Sequence, residues 1–190
     1  MPDIYGLLIN LLNTDSGRLY VNNCFSGAIS SYYRGVMLYE EEPMIAYNCF
    51  ITALESLALY DEEKQTHSKD GVTNKFIKFV MSCLGDEFNR NTESQDANSS
   101  IPKSKTKLRR MLCSAYEVRS LYAHTGLYHG SWMSPVYLKN CEEVQPSNIL
   151  LEDNQFLEKH LRKSPTLIGL ERIARYCLIT TLKKNGYFDF

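Results

Sequence analysis

From Phe25 onward, apolar residues recur three and four positions apart. Phe25, Ala28, Ile29, Tyr32, Val36 and Tyr39 fall on one face of a helix. Pro43 marks a break or a new start. Over 44–60 the chain is apolar nearly all round: Ile45, Phe50, Ala53, Leu54, Leu57 and Leu59 cover several faces, and Glu55 is the only charge. Such a helix belongs in the middle of a bundle. After a polar stretch at 61–71, a third amphipathic helix carries Phe76, Phe79, Val80, Cys83 and Leu84.

Residues 89–104 are rich in Asn, Ser, Asp and Thr, with Pro102 near the end. They read as a loop or insertion, not a domain boundary. The next helix begins near 105 and runs to about 122, with Leu108, Met111, Leu112, Ala115, Val118 and Tyr122 as its buried stripe. Thr125-Gly126 follows, and Gly is common just past a helix end. Residues 127–163 are mixed, containing Gly130, Pro135 and Pro146, with a short helix expected around 148–161. A last helix carries Leu167, Leu170, Ala174, Cys177, Leu178 and Leu182. Ser164 is its expected N-cap, Pro165 lies in the first turn, and Asn185-Gly186 closes it. Residues 1–24 form an N-terminal extension in which Leu7, Leu8, Ile9, Leu11 and Leu12 fit a short helix or a buried strand equally well. The pattern therefore predicts an all-α fold of about five helices over 25–190, with a polar insertion before the fourth.

Composition narrows the functional classes. At 190 residues and 44% hydrophobic, the chain has enough material for a packed core. Its net charge of −1 excludes a protein that coats nucleic acid by bulk electrostatics, though not a local basic patch. The six cysteines (Cys24, Cys49, Cys83, Cys113, Cys141 and Cys177) have no CxxC and no Cys/His ligand spacing. No metal site is expected from them. Most sit in apolar stretches, where a reduced thiol is a small core residue, which favours the cytoplasm. The start Met1-Pro2-Asp3-Ile4-Tyr5 lacks the basic residues of a signal peptide, and no apolar run reaches the ~18 residues of a membrane span.

Nucleotide-binding glycine loops, GxSxG and HExxH are all absent from the sequence. What stands out is Arg119-Ser120-Leu121-Tyr122-Ala123-His124, an Arg and a His separated by four residues. At ~100° per residue, Arg119 lies about 40° from the centre of its helix's apolar stripe, so its guanidinium needs a carboxylate. Glu55, the lone acid of the central helix, needs a cation for the same reason. The two are expected to pair. His124 lies at the helix end, where the dipole favours an imidazolium. Plainer roles exist for both: a structural ion pair between helices, and a helix C-cap. Positions 119 and 124 differ by about 140° in a regular helix. They share a site only if the helix ends early or two chains meet.

Two segments resemble a known family. Phe50-Ile51-Thr52-Ala53-Leu54-Glu55-Ser56-Leu57 is similar to the "ALE-x-L" helix of HEPN (higher eukaryotes and prokaryotes nucleotide-binding) domains of the Apea-like kind. Tyr116-Glu117-Val118-Arg119-Ser120-Leu121-Tyr122-Ala123-His124-Thr125-Gly126 is similar to their Y-x-x-R-S-x-x-x-H-G segment. Thr125 stands where that subfamily often has Gly, and Gly126 follows one place later. The resemblance runs from about Phe25 to the C-terminus, with gaps at 89–104 and 127–163.

It implies a HEPN-type bundle and a metal-independent endoribonuclease needing no cofactor. Two protomers would bring their Arg119 and His124 segments into one cleft. Arg119 and His124 would be the catalytic pair, Ser120 would orient them or the phosphate, and Glu55 would anchor Arg119. RNA is the implied substrate, a homodimer the implied assembly, and a toxin-like or antiviral role with a cognate antitoxin the implied setting. The alternative is a non-catalytic HEPN module that binds RNA or a protein.

Lys103, Lys105, Lys107, Arg109 and Arg110 precede the motif and are expected either to guide an RNA backbone or to be an ordinary solvated surface. Tyr128 and Trp132 are expected to stack bases, and Tyr122 to be core. His129, His160 and the Glu40-Glu41-Glu42 run are read as surface.

Overall fold

The computed structural model describes residues 23–63, 71–85, 104–126 and 159–186. These form five α-helices: α1 (Asn23–Met37), α2 (Pro43–Glu63), α3 (Val72–Cys83), α4 (Lys105–Thr125) and α5 (Leu167–Lys184). A single helical turn precedes α5 at 159–161. There is no β-strand among the described residues. The expected all-α bundle is therefore what the chain builds. Of the N-terminal extension, only Asn23 and Cys24 are described, and they open α1. Lys103, Tyr128, His129, Trp132, Cys141 and most of 89–104 and 127–163 lie outside the described residues.

The uncharged centre of α2 puts it at the middle of the bundle, touching all four other helices. Pro43 is its first helical residue, where a missing N–H costs nothing. The first backbone bond of the helix runs from the Ala46 N–H to the Glu42 carbonyl, 2.9 Å. Phe50, Ile51, Leu54 and Leu57 are buried to 1% or less. The burial is not complete all round, however. Ile45 and Leu59 remain exposed, and they lie about 40° apart around the helix, so one stripe of α2 faces outward.

Helix α1 approaches α2 closely because Gly35 meets the Phe50 ring. A Cβ at Gly35 would lie 2.6 Å from Phe50 Cε1. Tyr32 and Tyr39 flank the same ring, at centroid distances of 5.7 and 6.4 Å. Tyrosine hydroxyls then tie α1 and α2 to the α5 segment: Tyr32 to Glu171 Oε1 (2.5 Å), Tyr47 to the Pro165 carbonyl (3.4 Å) and Tyr60 to Asn185 Oδ1 (3.2 Å).

The start of α5 differs from expectation. Thr166, not Ser164, is the N-cap; its hydroxyl accepts from the Gly169 N–H at 3.0 Å. Pro165 keeps the residue before it out of the helical region. Ser164 instead closes the preceding turn, donating to the His160 carbonyl at 2.7 Å. The helix ends as expected, at Asn185 followed by Gly186 with φ +70°.

Candidate functional site

Helix α4 is continuous to Thr125, about a turn beyond the stripe that defines it in sequence. Its last turn is held by the Gly126 N–H on the Tyr122 carbonyl (2.9 Å) and the Thr125 hydroxyl on the Leu121 carbonyl (2.6 Å). Gly126 takes the left-handed conformation at φ +65°, which a glycine adopts without strain. The helix therefore does not stop short of His124, which is exposed on the final turn.

Leu108, Met111, Leu112, Ala115 and Val118 of α4 are buried against α2 and α3, and Tyr122 only partly so. Arg119, at the edge of this stripe, pairs with Glu55 of α2: Nη2 donates to Oε2 at 3.0 Å. The Arg119 side chain is 27% exposed and that of Glu55 12%. Sequence reasoning thus places this ion pair correctly.

It missed the third member. Tyr116, one turn before Arg119, lies under the guanidinium, whose central carbon is 5.7 Å from the ring centroid. The ring also packs on Phe76 of α3 at 5.7 Å. Burial raises the Tyr116 hydroxyl's pKa above the ordinary tyrosine range. The nearby Glu55 carboxylate adds to the rise, while the Arg119 charge offsets part of it. The available signal was the i, i+3 spacing of a tyrosine and an arginine on one helix.

Arg119 and His124 are not brought together within one chain. They are separated by about 140° around the regular helix and about 7.5 Å along it. Ser120 is half-buried between them. Arg119 keeps more than a quarter of its side chain exposed, so it retains N–H donors beyond the one used on Glu55.

At the other end of α4, Lys105, Lys107, Arg109 and Arg110 are all exposed, with no acidic residue in the first turn. Cations at a helix N-terminus oppose the helix dipole, so this end is electropositive at a small cost in stability. Arg109 is partly engaged, donating to Asn74 Oδ1 of α3 at 3.2 Å. Lys107, Arg110 and His124 fall within about 100° of arc on the outer face. Arg110 and His124 are about 21 Å apart along the axis, with Glu117 on the same side.

His160 is half-buried rather than a plain surface residue. Burial pushes its imidazole pKa below the ordinary value. The Glu117 carboxylate opposes that shift, and Lys159 and Lys163 reinforce it.

A separate cleft of about 570 Å³ lies between the end of α1 and the start of α5, with Tyr39, Glu40, Glu41, Glu171 and Arg175 among its walls. None of its walls belongs to α4. Among the described residues no three His, Cys, Asp or Glu side chains cluster as a metal site, and no helix is long and apolar enough to cross a membrane. Compared with protein-family models, curated proteins and solved structures, the chain matches none.

Proposed function

We propose that the chain is a HEPN-type, metal-independent endoribonuclease acting as a homodimer. The observation that carries this reading is the Arg119–Glu55 ion pair, which fixes α4 on the central helix and leaves His124 exposed at its end. RNA carries its own nucleophile in the 2′-hydroxyl. Cleavage needs one group to take that proton, one to protonate the leaving 5′-oxygen, and positive charge on the crowded phosphate. Histidine exchanges protons near neutral pH. Arginine supplies a permanent charge and a forked donor set. A two-fold arrangement would double both residues, so one His124 acts as base and the other as acid. The products are a 2′,3′-cyclic phosphate and a 5′-hydroxyl. Ser120 orients the phosphate, and Lys105, Lys107, Arg109 and Arg110 give the RNA backbone an electropositive approach. A cytoplasmic toxin or defence effector, restrained by a cognate antitoxin, is the setting this chemistry fits.

The test is incubation of the purified protein with mixed RNA in EDTA. Cleavage is expected to survive the chelator, to rise more than in proportion to protein concentration, and to vanish in His124→Ala and Arg119→Ala. Equal activity in wild type and both variants ends the proposal.

A second reading rests on the engagement of Arg119 by both Glu55 and Tyr116, which suits a residue kept for folding. As a non-catalytic module binding RNA or a protein, the chain would show no cleavage. It would lose stability in Arg119→Ala and be indifferent to His124→Ala.

A further inference from the structure

We propose that the exposed joint between α3 and the start of α4 is a binding surface for the sugar-phosphate backbone of RNA, centred on Arg109 and Asn74. The surface rests on the ribonuclease reading for the identity of its ligand. It adds a track on α3 that this reading does not use.

Positive charge is segregated onto these two helices. The whole chain is nearly neutral, with 21 Lys and Arg against 22 Asp and Glu. Helix α3 has Lys75 and Lys78 and no acid, and α4 has five Lys and Arg and one acid, Glu117. Across the joint, Arg109 Nη2 donates to Asn74 Oδ1 at 3.2 Å, with both residues exposed. Lys105 lies one turn before Arg109 on α4, about 40° away around the axis and about 6 Å along it. Lys78 stands in the same relation to Asn74 on α3 and is also exposed. Lys78, Asn74, Arg109 and Lys105 therefore form one line that crosses from helix to helix. Lys107 and Arg110 leave α4 at about 160° and about 100° from Arg109, on its other sides.

Folding alone gives no reason for this arrangement. Lys105 and Arg109, four residues apart on one helix, repel each other. They also sit at the positive end of the α4 dipole, where acids would be favoured. The group that holds Arg109 across the joint is a neutral amide. A carboxylate at position 74 would accept the same hydrogen bond and cancel the charge. Asparagine fixes the guanidinium and leaves its charge in place. An anionic ligand relieves the repulsion that the folded chain retains. A phosphodiester backbone fits this line of cations, because it brings one negative charge per nucleotide and accepts both the forked donors of arginine and the point charge of lysine. Such contacts set affinity and register and carry no sequence preference.

The test measures binding of the full chain to a short 2′-O-methyl oligoribonucleotide by fluorescence anisotropy across a salt series. That backbone lacks the attacking hydroxyl, so it stays intact whether or not the protein cleaves RNA. Affinity is expected to fall as salt rises. Lys78→Ala and Arg109→Ala should each weaken binding and reduce the slope of log affinity against log salt by about 0.7, the value for one phosphate of a single strand. Asn74→Asp should weaken binding by about threefold to tenfold while the melting temperature stays equal or rises, a split that a purely structural amide would not give. Lys184→Ala, at the end of α5, should match the wild type. Wild-type affinity in Lys78→Ala or in Asn74→Asp overturns the proposal, as does binding that ignores salt or no binding at all. Tighter binding of polyglutamate of equal charge also overturns it and assigns the surface to an acidic protein segment. The two readings fail separately. Binding with these losses in a protein that leaves unmodified RNA intact removes only the nuclease, and cleavage with unchanged affinity in the variants removes only this surface.

Discussion

The Arg119–Glu55 pair is open to a quantitative test because its two partners are buried to different depths. At an effective dielectric of 20, unit charges 4 Å apart attract by about 4 kcal/mol before desolvation is subtracted. Exposed pairs retain about 0.2–1 kcal/mol of this. Removing one partner of a fully buried pair costs about 3–5 kcal/mol. With side chains 12% and 27% exposed, this pair lies between those limits. The cost should also be asymmetric. Arg119→Ala leaves the more deeply buried Glu55 carboxylate without its cation and strips the aliphatic stem from Tyr116, for an expected loss of about 2–4 kcal/mol. Glu55→Ala leaves a more exposed guanidinium still resting on an aromatic ring, for an expected loss of about 1–2 kcal/mol. The double variant should lose less than the sum, with a coupling of about 1–2 kcal/mol. Urea unfolding of wild type, both singles and the double measures all four terms, provided the m-value is unchanged. Arg119→Met, which keeps the stem, separates packing from charge. Singles within about 0.5 kcal/mol of wild type, or strictly additive losses, would refute the reasoning.

Three further outcomes follow from the packing and the titrating groups. Gly35→Ala should destabilise by about 1–3 kcal/mol in the same assay, although alanine is the better helix former, because the new methyl meets a Phe50 ring wedged between Tyr32 and Tyr39. Unchanged stability would show that the ring yields freely. Thr166→Ala should cost about 1 kcal/mol through loss of the Gly169 cap, and Ser164→Ala less; the reverse order would return the cap to Ser164. Because the folded His160 imidazole has a lowered pKa, the unfolded chain binds its proton more tightly. Its contribution is intact above the unfolded value near 6.5 and is lost as pH falls through the folded value. His160→Gln should flatten the drop in melting temperature between about pH 7 and pH 5. Parallel profiles for wild type and variant would exclude His160 as the titrating group.

What could be read from the sequence was whatever a single residue's chemistry forces. A stretch as apolar as 44–60 had to be central, and Glu55, its one carboxylate, had to find the one half-buried cation of α4. Gly126 and Asn185-Gly186 marked helix ends because a left-handed residue is cheap only there. Features that depend on long-range placement stayed hidden. Two hydroxyls flank Pro165, and which one caps α5 is decided by the helix phase that Tyr47 and the core impose. The uniform hydrophobicity of α2 conceals that Ile45 and Leu59 face outward. Nothing local announces that the Tyr116 ring packs on Phe76 while it underlies the Arg119 guanidinium. His160 read as surface because neither its burial nor its proximity to Glu117 has a sequence spacing.

The geometry of α4 makes the roles of Arg119 and His124 separable. Glu55 fixes the rotation of α4 about its axis from one side, and Phe76, through Tyr116, fixes it from the other. Turning His124 onto the face of Arg119 would need about 140° of rotation and would break both contacts. Within one chain, then, the arginine looks toward the core and the histidine toward solvent. Any chemistry that uses both must import one of them from a second copy. Arg119 variants must therefore lower stability whether or not the protein is an enzyme, and loss of activity in them says little about catalysis. His124 carries no such ambiguity. It is exposed, so its removal should leave stability within about 0.5 kcal/mol of wild type. A loss of RNA cleavage in that variant at unchanged stability reports on the reaction itself.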